Sequence, residues 1–452
     1  MRAPDDPDAG PRRAAPGDGL LSVDEARRLI VGTLSPSQTL QRVDLRSALH
    51  RVLALDQVSP IDVPPADCAA MDGFAIRSAD LLAAGPSSPS SSPSSSLPSS
   101  LPSSPPSQSS SPSATVLTVV GSALAGRPYL SPVAPGQAVR VSTGALMPAG
   151  LDAIVLVEEA RLQGNRLTVP ADEAPPAGRH CRRAGDDLAR GRTVLRAGRV
   201  LRPADLGLLA SIGIGEVPVH PPLRVAYFST GDELRPLGLP LDVGQIYDSN
   251  RYSLFGMLHR LGVDLIDMGI VPDDPIALEA TLRSASERAD VILSSGGMSV
   301  GEADFTREVM ERLGEVLFWR IAIRPGKPLA FGRVGDAVYF GLPGNPVAAM
   351  TSFYFLVRPA LHRMMGAAVG APPSHVALAT ERLAKRPGRT EFQRGVFLRA
   401  DDGRLHVRST GDQGSAMLRS MTEANCIIVL EHERGPVEAG EPVDILPFDG
   451  LL

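Results

Sequence analysis

Between Arg224 and Met365 short apolar runs alternate with amphipathic stretches, and each apolar run ends in a small, polar, glycine-rich loop. No other feature restricts the fold as much. Arg224-Val-Ala-Tyr-Phe228 is of strand type and stops at Ser229-Thr-Gly-Asp-Glu-Leu234. A helix pattern follows from Asp248-Ser-Asn250, with Leu254, Met257, Leu258 and Leu261 recurring at three- and four-residue spacing. Val263 to Met268 reads as the next strand, closed by Gly269, and Asp273-Asp-Pro275 opens a second helix through Arg288, because Asp caps helices and Pro is tolerated in the first turn. Val291-Ile-Leu293 runs into Ser294-Ser-Gly-Gly-Met-Ser-Val-Gly301, after which Ala303 to Leu313 reads as helix. Ala337-Val-Tyr-Phe340 leads to Gly341-Leu-Pro-Gly-Asn-Pro346 and a long apolar helix to about Met365.

Strand, loop and helix in repetition predict a mostly parallel, doubly wound sheet, since parallel neighbours need crossover connections. Ligands of such sheets bind outside the carboxyl ends of the strands. The glycine loops fall at those ends. Glycine lets a backbone approach a ligand closely, and amides at the following helix starts favour anions, so a phosphate-bearing ligand is expected. Asp232, Glu233, Asp248, Glu302 and Asp304 sit in the same loops, and carboxylates beside phosphates imply a hard cation such as magnesium. The basic segment Arg320 to Lys327 supplies the opposite charge.

The remaining chain reads as satellites of this unit. Ser22 caps a helix over Leu21 to Leu34, Asp44 to Leu49 forms a short second helix, and Val52 to Val58 a strand. Gly85 to Ser113 is almost wholly Ser and Pro, too poor in apolar area to join a core, and is expected to be a disordered insertion. Strand patterns at Thr115 to Val120, Ala138 to Val141, Ala153 to Val157 and Arg166 to Val169 predict a small β unit around it. Short strands after Ser374, with no sustained helix, predict a terminal β barrel or sandwich. With net charge −5 and no cluster of Lys and Arg among aromatics, nothing favours nucleic acid. The most apolar helix, Val347 to Val357, is too short for a bilayer, which needs about 20 residues. Cys68, Cys181 and Cys426 have neither zinc nor disulfide spacing and fit a reducing cytoplasm.

Seven loops in one order, Asp72-Gly73, Ser142-Thr-Gly144, Gly231-Asp-Glu233, Tyr247-Asp-Ser-Asn250, Ser295-Gly-Gly-Met-Ser-Val-Gly301, Pro325-Gly-Lys-Pro328 and Leu342-Pro-Gly-Asn-Pro346, give the chain a resemblance to the molybdopterin molybdenumtransferase family, the MoeA and gephyrin E-domain group. The resemblance implies a division into an elongated domain from residues 20–60 and 178–220, an inserted β domain (61–177), a molybdopterin-binding α/β domain (221–366) and a C-terminal barrel (367–452), after a disordered 1–19. It implies a homodimer that inserts molybdate into adenylylated molybdopterin with magnesium-dependent release of AMP, in exchange with a molybdopterin-adenylyltransferase and other proteins of the cofactor pathway. By position, Glu233 and Asp304 correspond to the metal and catalytic pair, with Asp186 and Asp248 as further acidic members. Asp72, Thr143, Thr230, Gly231, Gly296, Gly297, Ser299, Arg320, Pro343, Gly344, Asn345 and Pro346 correspond to substrate-binding positions. Arg324, Lys327, Arg394 and Ser415 correspond to molybdate contacts. Several members carry Lys where this chain has Arg320 and Arg324, and His where it has Asp412. A non-catalytic dimeric scaffold that binds pterin or a partner is the competing reading.

Overall fold

The computed structural model describes residues 20–82, 114–297 and 305–451. The chain divides into two compact units, one built from Met1–Leu55, Arg196–Leu206 and Gly215–Leu452, the other from Asp56–Leu195 and Gly207–Ile214. In the first unit helix α1 (Val23–Thr33) starts in a capping box: Ser22 Oγ accepts from the Glu25 amide, and the Glu25 carboxylate accepts from the Ser22 amide. The short helix expected over Asp44 to Leu49 is a single 3-10 turn, Leu45–Ala48, capped by Asp44. The predicted Val52 to Val58 strand is reduced to isolated bridges at Val52 and Leu53, with a two-residue strand at Gln57–Val58.

The central sheet contains β1 (Arg224–Thr230), β2 (Asp264–Val271), β3 (Val291–Ser295), β4 (Gly314–Arg320), β6 (Pro328–Val334) and β7 (Ala337–Leu342), with the short β5 (Ile323–Arg324) belonging to another sheet. Its order is β2-β1-β3-β7-β6-β4, with the first four parallel and the last two antiparallel. The strands bury both faces, as parallel strands covered by crossover helices must. On β1, Val225 and Tyr227 enter one core while Ala226 and Phe228 enter the other. Helix α2 (Asn250–Arg260) covers the first face with Leu254, Met257 and Leu258. Helices α3 (Pro275–Arg288) and α4 (Phe305–Leu313) cover the second with Leu278, Leu282, Val309 and Met310.

Gly269 does not close β2. With φ of +82° it forms a bulge, so Tyr227 pairs with Asp267 but Ser229 with Ile270, and the strand continues to Val271. The antiparallel pair β4 and β6 lay unseen around the basic segment, where bulges interrupt the alternation of side chains. After β7 one long helix runs from Pro346 to Met364, α-helical to Ser352, π-helical over Phe353–Val357 and α-helical again from Arg358.

β8 (His375–Ala379), β9 (Thr390–Arg399), β10 (Leu405–Ser409), β11 (Cys426–Leu430) and β12 (Pro442–Pro447) form the terminal domain. The order β9-β10-β8-β12-β11, with β11 pairing back onto β9, closes a five-stranded barrel, and β5 joins its rim beside β9. Closure leaves no free edge. The multidomain α/β architecture with a C-terminal barrel expected from the sequence is therefore present. The other unit is built on a six-stranded sheet of Ala153–Leu156, Gly73–Ile76, Gln137–Val141, Ala114–Ala123, Arg166–Pro170 and Arg161–Gln163, in that order. Cys68, Cys181 and Cys426 are all unpaired. Among the described residues no helix is long and apolar enough to cross a membrane.

Candidate functional site

Strand order reverses at β1, with β2 on one side and β3 on the other. Loops leaving β1 and β3 diverge there, which makes the carboxyl ends of these two strands the expected ligand crevice. They meet closely. At Gly296, where φ is +97°, a Cβ would lie 2.1 Å from the Thr230 carbonyl oxygen, so no other residue fits. Gly344 approaches the same point, its Cβ position 3.6 Å from Gly296 Cα, and brings in the third loop. The Glu233 side chain is exposed and lies over Gly231, where a Cβ would stand 2.6 Å from Glu233 Oε2.

Two polar side chains hold these loops together from beneath. Asn250 Nδ2 donates to Ser295 Oγ at 2.8 Å and to the Gly344 carbonyl at 2.7 Å, tying the end of β3 to the Pro343–Pro346 loop. Asp248 Oδ1 accepts from Ser229 Oγ at 3.0 Å and from the Arg251 amide at 3.1 Å, so it serves α2 as a cap. Its second oxygen, Oδ2, is buried without a partner, and so is Asn250 Oδ1. Two unsatisfied acceptors two positions apart in sequence, at a strand-end crevice, call for a water, a donor or a cation.

Asp273 is a member of this cluster that the sequence reading passed over as a helix cap. Asp274 does the capping, accepting from the Ala277 amide at 2.8 Å. Asp273 instead accepts a short hydrogen bond from Thr230 Oγ1, and its amide donates to Asp232 Oδ1 at 3.2 Å. Ser299 and Asp304 lie outside the described residues. Among the described residues no three His, Cys, Asp or Glu side chains converge as a metal cage.

The basic candidates occupy the chain between β4 and β6. Arg320 is exposed; Arg324 is half exposed and reaches Glu391 Oε1 at 3.3 Å, a carboxylate 5% exposed that fixes one end of the guanidinium. Lys327 is half-buried between Pro325 and Pro328, next to Gly326, and makes no ion pair among the described residues. Asn345 Nδ2 donates to Ser415 Oγ at 2.9 Å, and the Val347 amide donates to the Ser415 carbonyl at 3.1 Å, so the barrel loop sits at the start of the long helix. This corrects one expectation. Pro346 has no N–H and the Val347 amide is taken, so this helix start is not an open anion cradle.

Arg394 is wholly buried. Its Nε donates to Ser420 Oγ at 2.9 Å and its Nη2 to the carbonyls of Gly414 at 3.0 Å and Asp412 at 3.4 Å. Burial pulls its pKa down to about 10. The geometry makes it the support of the loop that carries Asp412, Gly414 and Ser415. Asp412 turns its carboxylate onto the Gly414 amide at 2.8 Å, which tightens the same loop.

The remaining candidates belong to the other unit. Asp72 Oδ1 accepts from the Thr143 amide and from Thr143 Oγ1, both at 2.7 Å, and these bonds hold its carboxyl below the usual range. Asp186 Oδ2 accepts from the Arg183 amide at 2.6 Å within a local turn.

Three family models match the chain: the MoeA N-terminal region (domain I and II) over residues 21–213, a probable molybdopterin binding domain over 226–363, and the MoeA C-terminal region (domain IV) over 376–448. The chain is 41% identical over 435 residues to a molybdopterin molybdenumtransferase of Haemophilus influenzae, covering 96% of this chain and 100% of that protein. It is 32% identical over 444 residues to a molybdopterin molybdenumtransferase of Nostoc sp., covering 96% of each. A crystal structure of a molybdopterin biosynthesis MoeA protein from Pyrococcus horikoshii matches with a TM-score of 0.77 at 28% identity, over 95% of this chain and 100% of that one. On the strength of these matches and of the fold that carries them, the chain belongs to the MoeA family of molybdopterin molybdenumtransferases.

Proposed function

We propose that this protein transfers molybdenum from molybdate to the dithiolene of adenylylated molybdopterin, releasing AMP, as the last insertion step of molybdenum cofactor synthesis. It would work as a cytoplasmic homodimer that receives its pterin from an adenylyltransferase. The division expected from the sequence, with an elongated domain, an inserted β domain, the α/β domain and the barrel, belongs to the same proposal.

The observation that carries the reading is the unmet demand at the switch point: Asp248 Oδ2 and, two residues on, Asn250 Oδ1 are both buried and unpartnered. A magnesium ion fits this chemistry, because it is held by one or two carboxylates plus substrate phosphates and needs no all-protein cage. Glu233 and Asp304, with Asp248 as a further acid, would hold it, and when bound it would neutralise charge on the phosphoanhydride and on departing AMP. Gly231, Gly296 and Gly297 give the loops their close approach, so the nucleotide phosphates can lie against backbone. Arg320, Arg324 and Lys327 supply the positive charge that a tetrahedral dianion requires, with Arg324 oriented by Glu391. Ser415, held by Asn345, adds a hydroxyl donor near them.

The test is to incubate the purified protein with adenylylated molybdopterin, magnesium and molybdate, and to measure AMP with and without molybdate. Molybdate-dependent AMP is expected. Tight pterin binding without AMP would instead identify a scaffold, and formation of adenylylated pterin from plain molybdopterin and ATP would place the protein one step earlier. Sedimentation at equilibrium should give twice the 47.6 kDa chain mass.

A further inference from the structure

Away from the strand ends, the larger unit contains a cavity of about 830 Å³ between α1, the long helix and the barrel. That is the size of a small-molecule site, which spans about 300–1,000 Å³. Its floor is apolar: Phe355 and Phe392 stack with centroids 3.8 Å apart and planes 16° from parallel, and Leu446 lies beside them. One wall is the long helix, where Tyr354, Arg358 and His362 follow at four-residue spacing on one face. The π-helical turn Phe353–Val357 lies directly before Arg358, and the Phe355 carbonyl in it accepts from Arg27 Nε at 3.3 Å. Such single π turns recur at binding sites because they push side chains out of helical register.

Arg358 is the anomaly of this cavity. Its Nε is buried with no hydrogen-bond partner, and it makes no ion pair among the described residues. The residue as a whole is half-buried, so its charge keeps part of its hydration, while the Nε donor has no acceptor from the protein. The neighbours are donors as well. Burial pushes the Tyr354 phenol up to about 12, so it stays protonated, and burial together with Arg358 pulls His362 down to about 4, so its ring is neutral at pH 7 and keeps one N–H.

We propose that this cavity binds a small organic anion, with a single carboxylate or phosphate seated on Arg358 and an apolar body against the edge of the Phe355–Phe392 pair and Leu446. The opposite, barrel wall bears Glu431, Glu433 and Asp444, which repel a second negative charge and fix which end of the ligand is anionic. Asp24 offers Arg358 no relief, being paired with Arg27 at 3.4 Å. The site is separate from the strand-end crevice, and the inference does not rest on the transferase reading.

Fluorescence titration of the full chain with naphthoate and with naphthyl phosphate tests it, with naphthylmethanol as the uncharged control. Saturable binding of at least one anion is expected, weakened at least about tenfold both for the alcohol and in Arg358→Gln. Removing a half-buried charge that has no protein partner should leave the melting temperature nearly unchanged, and that temperature, measured on Arg358→Gln, separates lost binding from unfolding. Arg358→Lys keeps the charge without the planar fork and should retain part of the affinity. The tighter of the two anions identifies the headgroup as carboxylate or phosphate. The proposal is overturned if neither anion saturates, if Arg358→Gln binds as well as the unaltered chain, or if Lys327→Ala abolishes binding while Arg358→Gln leaves it intact.

Discussion

The strand-end crevice and the helix–barrel cavity are built on opposite plans. In the crevice the shape is made by backbone: Gly296 and Gly344 bring three loops within contact, and Asn250 and Asp248 pin them from below. In the cavity the shape is made by side chains from α1, the long helix and the barrel, and the guanidinium of Arg358, with its unpartnered Nε, is the proposed anchor. A backbone-made site tolerates almost no change at its glycines but leaves its charged groups free to vary. A side-chain-made site should behave in the reverse way.

The sharpest test of that contrast is Gly296→Val. A side chain at a φ of +97°, with Cβ 2.1 Å from the Thr230 carbonyl, should lower stability in urea by about 3 kcal/mol or more and end AMP release. Stability like that of the unaltered chain would mean the loops can separate. Next in size is Arg394→Met, which strips the buried support from Ser420 and the carbonyls of Gly414 and Asp412. A loss of about 2–4 kcal/mol is expected from the orphaned partners and the changed packing. Turnover lost with stability kept would instead put Arg394 in direct contact with the oxyanion.

Glu233→Gln comes third: AMP release should fall at least about tenfold while the melting temperature and naphthoate binding stay unchanged. Unchanged turnover removes Glu233 from the site. On the cavity side, His362 has a folded pKa of about 4 against an ordinary value of 6.5. The depressed value means the unfolded chain takes up the proton first, so stability is complete above about pH 6.5 and declines as pH falls toward 4. The urea midpoint of His362→Gln should therefore vary less between pH 7 and pH 5 than that of the unaltered chain. Equal slopes would show that His362 is not held neutral. The smallest effect is expected from deleting residues 85–113, which should leave both sites working and the melting temperature nearly unchanged.

The crevice was largely legible in the sequence because its constraints are local. A glycine that must pass another backbone, or an acid one residue before a helix, leaves its mark within a few positions. Asp273 was missed because two adjacent acids, Asp273 and Asp274, both fit a cap, and only packing decides that the second one caps while the first turns to Thr230. β4 and β6 were missed because their bulges break the two-residue period on which strands are recognised. The cavity left no local mark. Tyr354, Arg358 and His362 look like ordinary members of an amphipathic helix, and nothing nearby in the chain announces that α1 and the barrel stop short of them. The role of Arg394 was equally hidden, since an arginine in a strand reads the same whether its guanidinium meets ligand or carbonyl oxygens.

The bond from the Val347 amide to the Ser415 carbonyl has a consequence for how oxyanions could be told apart. It places a protein oxygen against the positive pole of the long helix and partly cancels that fixed field from within. In the proposed function, discrimination between a doubly charged tetrahedral oxyanion and a singly charged one would then fall to the ammonium and guanidinium groups of the segment from Arg320 to Lys327. Fields of that kind are screened by salt and can be altered one residue at a time. Selectivity in this protein would accordingly weaken with ionic strength and shift by point substitution, whereas a cradle of main-chain amides would resist both.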